Sequence, residues 1–145
     1  MKISLTWTGD AAFSAENERG NTVVFDGPPE HGGKNAGMRP MEGMLSAAAA
    51  CAAFDVARIL RKARRPLRAL QVRAEADRAA QIPSVFTRVH LHFIMEGELR
   101  ESAAERAVSL SVEKYCSALS IINKTAAVTH SWEIRDRDCD RVRNS

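Results

Sequence analysis

The three cysteines are the residues whose type and setting bear most directly on chemistry in this sequence. Cys51 stands in an alanine run, and Cys116 follows Lys114, whose ammonium can stabilise a thiolate. A cysteine among methyl groups also fits the role of a small buried hydrophobe. The residues alone therefore leave two interpretations open for Cys51 and Cys116, an inert thiol and a nucleophile. Cys139 lies between two aspartates that disfavour a thiolate, so we expect it to be a bystander.

Neither the histidines nor any other motif predicts a second reactive site as clearly as the cysteines do. His90 and His92 have strand spacing and share a face, which would suit two ligands of a metal ion, but no spacing supplies a third ligand. We expect a polar strand face there and no metal. His31 and His130 belong to no motif, and the sequence has no glycine-rich phosphate loop, nucleophile elbow or CxxC pair, so we expect no cofactor.

Composition predicts one globular domain over residues 1–145. Hydrophobic residues make up 45% and charged residues 27% of the 145 residues, which excludes a disordered or collagen-like chain. The formal net charge of +3 says little about partners. A basic run from Arg58 to Arg68 could bind phosphate or nucleic acid, yet it lacks interleaved aromatic residues and is typical of a solvated helix end. We expect no nucleic acid partner.

The N-terminal residues predict a cytoplasmic location. Residues 1–7 alternate like a strand and lack the features of a signal peptide, and we expect no apolar run as long as a membrane span and no membrane contact. Cysteines in a reducing cytosol are not expected to form a structural disulfide framework.

Periodicity predicts an α+β domain with the order βββ-α-ββ-α-β. Short strands are predicted at 3–8, 11–16 and 21–25, followed by a loop at 26–37 that is rich in glycine and proline. A long helix should run from Pro40 to about Arg64, with Cys51 beside its apolar face.

The second half of the chain is also predicted to contain both strands and a helix. Alternation predicts strands around 70–76 and 89–95 with a turn at 81–84. A second helix is predicted at 102–117, with Cys116 in its last turn, and a final strand at 126–134. The charged tail from 136 to 145 should be frayed.

Two segments resemble the cysteine-bearing helices of the OsmC/Ohr family. They are Pro40-Met41-Glu42-Gly43-Met44-Leu45 through Ala50-Cys51, and Val112-Glu113-Lys114-Tyr115-Cys116-Ser117. The order of predicted elements is similar as well, so the resemblance covers nearly the whole chain. It implies an intertwined homodimer in which two long helices pack on antiparallel sheet and each active site lies at the subunit interface.

The resemblance also implies a peroxidase activity. Cys51 would attack a hydroperoxide and become a sulfenic acid, Cys116 would condense with it to a disulfide, and an unknown dithiol would reduce that disulfide. A pocket lined by Met41, Met44, Phe54 and Tyr115 would favour organic hydroperoxides, because apolar contacts stabilise an alkyl group by roughly 0.8 kcal/mol per buried methylene.

The sequence departs from the family pattern at the residues that activate the thiol. In the peroxidases a glutamate follows the proline, whereas here Met41 has that place and Glu42 comes one residue later. Arg39 and Arg19 are the candidates for the activating arginine, and Cys116 is not followed by the usual proline. The chain is thus similar to a divergent OsmC-like branch.

Three functions follow from these observations. The first is a thiol-dependent peroxidase, and the second is a family member whose thiols serve another redox or binding task. The third is a dimer with inert cysteines that is structural or binds an apolar ligand.

Overall fold

The structure, a computed structural model, describes residues 1–135. Cys139 and the tail predicted to be frayed lie outside the described residues. The chain divides into two compact units, residues 1–45 and the residues from Ser46 onward. The single domain expected over residues 1–145 stays a prediction.

The first unit carries the predicted meander of three strands. β1 (Ile3–Gly9), β2 (Ala12–Asn17) and β3 (Thr22–Phe25) pair antiparallel in that order. Gly9 turns the chain between β1 and β2 at a φ of 113°, which a residue with a side chain rarely adopts. The local turn signals thus predict this sheet correctly.

One face of this sheet is apolar and exposed. Register places Leu5 opposite Ala15 and Trp7 opposite Phe13, so their side chains project from the same face. Leu5 is 61% exposed and Trp7 64% exposed. Asp26 is the one fully buried residue among residues 1–45. The first unit therefore lacks a hydrophobic core of its own.

The loop and the long helix follow the prediction closely. The loop at 26–37 is irregular except for a short 3₁₀ turn at Pro29–His31, and α1 spans Pro40–Lys62. Gly43 brings α1 against β3, since a Cβ at this position would lie 2.3 Å from Phe25 Cε1. The first six residues of α1 belong to the first unit and the rest to the second.

The sheet of the second unit is mixed. β4 (Leu67–Arg78) pairs antiparallel with β5 (Phe86–Gly97), and β5 pairs parallel with β6 (Ala127–Arg135). The purely antiparallel sheet expected from the resemblance is thus wrong at the last strand. The connection between β5 and β6 is long and helical, which is the kind of crossover that parallel pairing requires. The α+β class itself is confirmed.

The predicted alternation and helical periodicity identify the core of the second unit. Its fully buried side chains come from the inner face of β5 and from α1 and α2 (Glu101–Leu110), and include Val89, Leu91, Phe93, Met95, Ala48, Ala52, Val56, Leu60, Ala104, Ala107 and Val108.

The predicted second helix does not continue to residue 117. α2 ends at Leu110 and is followed by a π-helical turn, Ser111–Tyr115, called the π-turn below. Cys116 is extended, with φ −71° and ψ 102°, and a further helix, α3, spans Ser117–Ile122. Cys116 therefore precedes a helix and does not end one. The observed order is βββ-α-ββ-α-α-β.

α1 also corrects the expectation about apolar runs. It has 23 residues, and an 18-residue window in it has a mean hydropathy of 1.5, so by length and composition it could cross a membrane. A core helix of a folded domain passes the same test, and one side of α1 is buried in the second unit.

Candidate functional site: the Cys51 and Cys116 thiols

The alanines beside Cys51 allow another backbone to approach α1 closely. Ala48 and Ala52 are completely buried, and Cys51 is half-buried between them along the helix. Cys116 Sγ lies 3.7 Å from the Ala48 carbonyl oxygen, and Ser111 Oγ lies 2.9 Å from the Ala52 carbonyl oxygen. Larger side chains at the two alanines would hold the 111–116 segment away from α1.

The extended backbone at Cys116 turns its thiol toward α1. Cys116 is only 2% exposed, and its Sγ accepts a hydrogen bond from the Leu119 amide at 3.5 Å, which caps α3. The Cys51 thiol lies close enough to Cys116 to raise the pKa of Cys116. Both thiols are free. The structure thus brings together the two cysteines that the sequence analysis selected, with Cys51 the more accessible of the two.

The environment of Cys116 favours the protonated thiol. Burial raises its pKa to about 11, and the neighbouring Cys51 thiol adds to the increase, while the Leu119 amide acts in the opposite direction. A thiol with this pKa is a poor first nucleophile at neutral pH. Greater accessibility favours Cys51, and the raised pKa disfavours Cys116, as the residue that meets an external reactant.

Ser111 links the two cysteine segments and was missed by the sequence analysis. It is fully buried, and its hydroxyl donates to the carbonyl of Ala52, the residue directly after Cys51. Its own carbonyl accepts the Cys116 amide at 2.9 Å. The sequence did contain an indication of this role. Ser111 is in helical register with the buried Ala104, Ala107 and Val108, and a hydroxyl on such an apolar face needs a buried hydrogen-bond partner.

Two candidates for thiol activation have structural contacts inside the first unit. Glu42 Oε2 accepts the Arg39 backbone amide at 2.8 Å, which is the helix-capping contact of a glutamate at the third helical position. The Arg39 guanidinium donates to the carbonyl oxygen of Asp26 at 3.1 Å and to Asn35 Oδ1 at 2.5 Å. These contacts hold Arg39 against the loop at 26–37. A role of Arg39 or Glu42 at Cys51 stays a prediction.

Asp26 organises the same loop and was also missed. It is 2% exposed, and its Oδ2 accepts the amides of Lys34 at 2.8 Å and Ala36 at 2.9 Å. These two hydrogen bonds lower the pKa of Asp26, and the one from the Ala36 amide has the larger effect. Arg19, the other arginine candidate, lies in the turn between β2 and β3, where its amide donates to Asn17 Oδ1.

The residues predicted to line the substrate pocket fall in both units. Met41 and Met44 lie in the first unit, whereas Phe54 and Tyr115 lie in the second, where they are 64% and 44% exposed. The pocket itself stays a prediction. Within the second unit, Phe54 lines a cavity of about 420 Å³ with Arg58, Arg61 and Arg65, so an aromatic side chain does accompany the basic run.

The histidine pair lies on a polar face of the sheet in the second unit, as expected. Ser131 Oγ is 2.9 Å from His90 Nε2 and 2.8 Å from His92 Nδ1, and His92 Nε2 lies 3.6 Å from Glu133 Oε1. Within residues 1–135, no group of three or more His, Cys, Asp or Glu side chains is arranged to hold a metal ion.

Known proteins resemble this chain over nearly its whole length. Protein YhfA of Escherichia coli K12 is 37% identical over 138 residues, which cover 92% of this chain and 98% of the relative. A hypothetical protein of Aquifex aeolicus VF5 has a crystal structure that matches with a TM-score of 0.82 at 26% identity, covering 94% of this chain and 96% of that one. An organic hydroperoxide resistance protein OsmC of Legionella pneumophila shares the fold, with a TM-score of 0.69 at 21% identity and coverage of 92% and 97%.

The family model described as OsmC-like protein matches residues 32–131, a stretch that contains α1, Cys51, the π-turn and Cys116. With this match and the 37% identity to YhfA, the chain belongs to the OsmC-like protein family.

Proposed function

We propose that this protein is a thiol-dependent peroxidase that reduces organic hydroperoxides through Cys51 and Cys116. The observation that carries the proposal is a pair of neighbouring free thiols, one half-buried and one buried, on two segments that the Ser111 hydrogen bond joins. The fold shared with a protein named for organic hydroperoxide resistance supports the same activity.

The first step oxidises Cys51. Its thiolate attacks one oxygen of the hydroperoxide, the O–O bond breaks, and the alkoxide takes a proton and leaves as the alcohol. Cys51 is then a sulfenic acid. The hydroperoxide has gained the two electrons that the sulfur has lost.

The second step joins the two cysteines. Cys116 Sγ attacks Cys51 Sγ, the S–O bond breaks, and the departing hydroxide takes the Cys116 proton and leaves as water. Because Cys116 is buried and protonated at neutral pH, this proton is available where the hydroxide is released. A dithiol reductant then restores both thiols, as the reducing conditions of the cytoplasm allow, and we place the protein there.

The apolar face of the first sheet supports a homodimer. Ile3, Leu5, Trp7, Phe13 and Val23 lie on this face and are between 38% and 64% exposed. A contiguous apolar face on a unit without its own core indicates a surface that another chain covers. A second copy is the occupant we propose.

Two cysteine variants test the catalytic roles. With dithiothreitol as reductant and cumene hydroperoxide as substrate, Cys51→Ser should abolish turnover. Treated with hydroperoxide in the absence of any reductant, Cys116→Ser should allow one oxidation of Cys51 per chain and then stall, with Cys51 found as sulfenic or sulfinic acid by mass spectrometry. Equal residual turnover in both variants would contradict the assignment.

Light scattering tests the dimer. The protein should have twice the 15.9 kDa mass of one chain at micromolar concentration. Leu5→Glu places a charge on the apolar face and should weaken association, whereas Thr6→Glu, on the opposite face of the same strand, should not. A monodisperse species with the mass of one chain would exclude the dimer.

One observation favours a second function. The cavity beside Phe54 is lined by three arginines, and within residues 1–135 the side chains of Arg61 and Arg65 have no ion-pair partner. These cations suit a member of the family that binds an anionic ligand. Unreacted thiols after hydroperoxide treatment would favour this function over the peroxidase.

A further inference from the structure

A cavity of about 430 Å³ is lined in part by Cys116. Its walls come from the π-turn, α3 and β6, and include Lys114, Ser120, Asn123 and His130 together with Cys116. Among the described residues that line it, Cys51 is absent. The cavity is polar on several sides, and none of the four residues predicted to line the substrate pocket is among the described residues that line it.

Thiol–disulfide exchange requires that the attacking thiol can reach one sulfur of the disulfide. The attacking sulfur must lie in line with the S–S bond, on the far side of the sulfur that it attacks. A cavity that touches Cys116 and not Cys51 gives an external thiol access to Cys116 in particular. At 2% exposure, Cys116 has little other access among the described residues.

We propose that this cavity is the entry site for the reducing thiol, which attacks Cys116 Sγ of the Cys51–Cys116 disulfide and releases Cys51. The proposal rests on the peroxidase function above, and the reductant is a dithiol. It assigns the two cysteines to different reactants, so that hydroperoxide meets Cys51 and reductant meets Cys116.

Reduction of the Cys51–Cys116 disulfide takes two thiol–disulfide exchange steps. In the first, a thiolate of the reductant forms an S–S bond with Cys116, the Cys51–Cys116 bond breaks, and the electron pair goes to Cys51 as thiolate. In the second, the other thiolate of the reductant attacks its own sulfur in the mixed disulfide and releases Cys116, which takes a proton from solvent in the cavity. The dithiol is oxidised to a disulfide and both protein thiols are restored.

The leaving groups favour the same order. A thiol of lower pKa leaves faster, and burial raises the pKa of Cys116 to about 11. Attack on Cys51 would have to expel this buried thiolate in the intermolecular step. Attack on Cys116 expels the half-buried Cys51 and leaves the release of Cys116 to the second step, which is intramolecular.

A trapping experiment identifies the attacked sulfur. The protein is oxidised with diamide, which needs no peroxidase activity, and is treated briefly with glutathione, quenched in acid, alkylated with N-ethylmaleimide and digested. Mass spectrometry should find glutathione on Cys116 and the maleimide on Cys51. The reverse pattern would overturn the proposal. Disulfide formation with diamide but not with hydroperoxide would refute the peroxidase while leaving this test readable, and failure with diamide would overturn both.

A pair of variants tests the route. Ser120→Phe narrows the cavity from α3, and Ser102→Phe makes the same change at an exposed position on α2 outside it. Reduction of the disulfide by dithiothreitol should slow by roughly tenfold in Ser120→Phe and stay unchanged in Ser102→Phe. Formation of the disulfide by hydroperoxide should not change in either variant. A parental reduction rate in Ser120→Phe would overturn the proposal.

Discussion

Replacing Ser111 with alanine removes the hydroxyl that connects the π-turn to α1, and this perturbation tests how the two cysteines are held together. The hydroxyl is fully buried and lies 2.9 Å from the Ala52 carbonyl oxygen. In an α-helix that oxygen also accepts the amide four residues later, so the variant leaves no buried acceptor without a partner. The cost is therefore that of one net hydrogen bond, about 1 kcal/mol, and not the larger penalty of an orphaned group.

The expected effects can be measured separately. A loss of about 1 kcal/mol should lower the melting temperature by roughly 3–5 °C for a chain of this size. If the same energy holds Cys116 in position, closure of the disulfide after oxidation of Cys51 should slow by about fivefold. Slower closure leaves the sulfenic acid exposed to further peroxide, so the ratio of sulfinic acid to disulfide should rise.

The assay is rapid quenching with an alkylating agent after a pulse of hydroperoxide, followed by mass spectrometry, with melting followed by circular dichroism. Ser102→Ala, at an exposed serine on α2, is the matched control and should behave as the parent. Ser111→Thr retains a hydroxyl and should recover part of the closure rate. Parental melting and parental closure in Ser111→Ala would refute the reasoning about Ser111.

Three further predictions follow from the contacts above. Because the folded pKa of Cys116 is raised from 9.0 to about 11, its contribution to stability is complete below pH 9 and is lost as the pH rises. The parent should lose about 2 kcal/mol of unfolding free energy by pH 11 relative to Cys116→Ala in denaturant titrations, and parallel curves would contradict this. Asp26→Asn removes the carboxylate that binds the Lys34 and Ala36 amides, so hydrogen exchange in the loop at 26–37 should accelerate, and unchanged exchange would show that the loop is held otherwise. Glu42→Ala removes the cap of α1 and should cost about 0.5–1 kcal/mol, with Glu42→Gln milder. A change in Cys51 alkylation rate at constant stability would instead assign Glu42 to thiol activation.

The helices and strands that were predicted correctly are those whose positions depend on the local sequence pattern. The three strands of the first unit follow from turn residues at Gly9 and Gly20, and α1 follows from Pro40 and the helical spacing of its apolar residues. β4 and β5 follow from alternation, since the inner face of β5 is buried and that of β4 is half-buried. None of these depends on a distant partner.

The elements predicted wrongly depend on tertiary contacts. The apolar pattern continues past Leu110, so nothing local predicts the π-turn; the Ser111 hydrogen bond to α1, 59 positions away in sequence, accompanies it. The direction of β6 is likewise set by its connection, although two helical segments between consecutive strands could have indicated parallel pairing. The cysteines themselves were found because of the family resemblance, whereas their contact could be seen only in the structure.

The capping role of Glu42 was available from the sequence. A proline at the first helical position and a glutamate at the third are a known start signal. The family pattern favours a catalytic glutamate near this position, whereas the structure shows Glu42 capping α1. The sequence indicates the role of Asp26 less clearly, because a single aspartate before a glycine-rich loop has many possible hydrogen-bond partners.

The central claim is that Cys51 and Cys116 act as one redox pair, and mass spectrometry of the native protein after one equivalent of cumene hydroperoxide tests it most directly. Digestion under acidic, alkylating conditions should yield the Cys51 and Cys116 peptides joined by a disulfide, with the loss of two hydrogen atoms and no alkyl group on either cysteine. Both peptides recovered unlinked and fully alkylated would contradict the account.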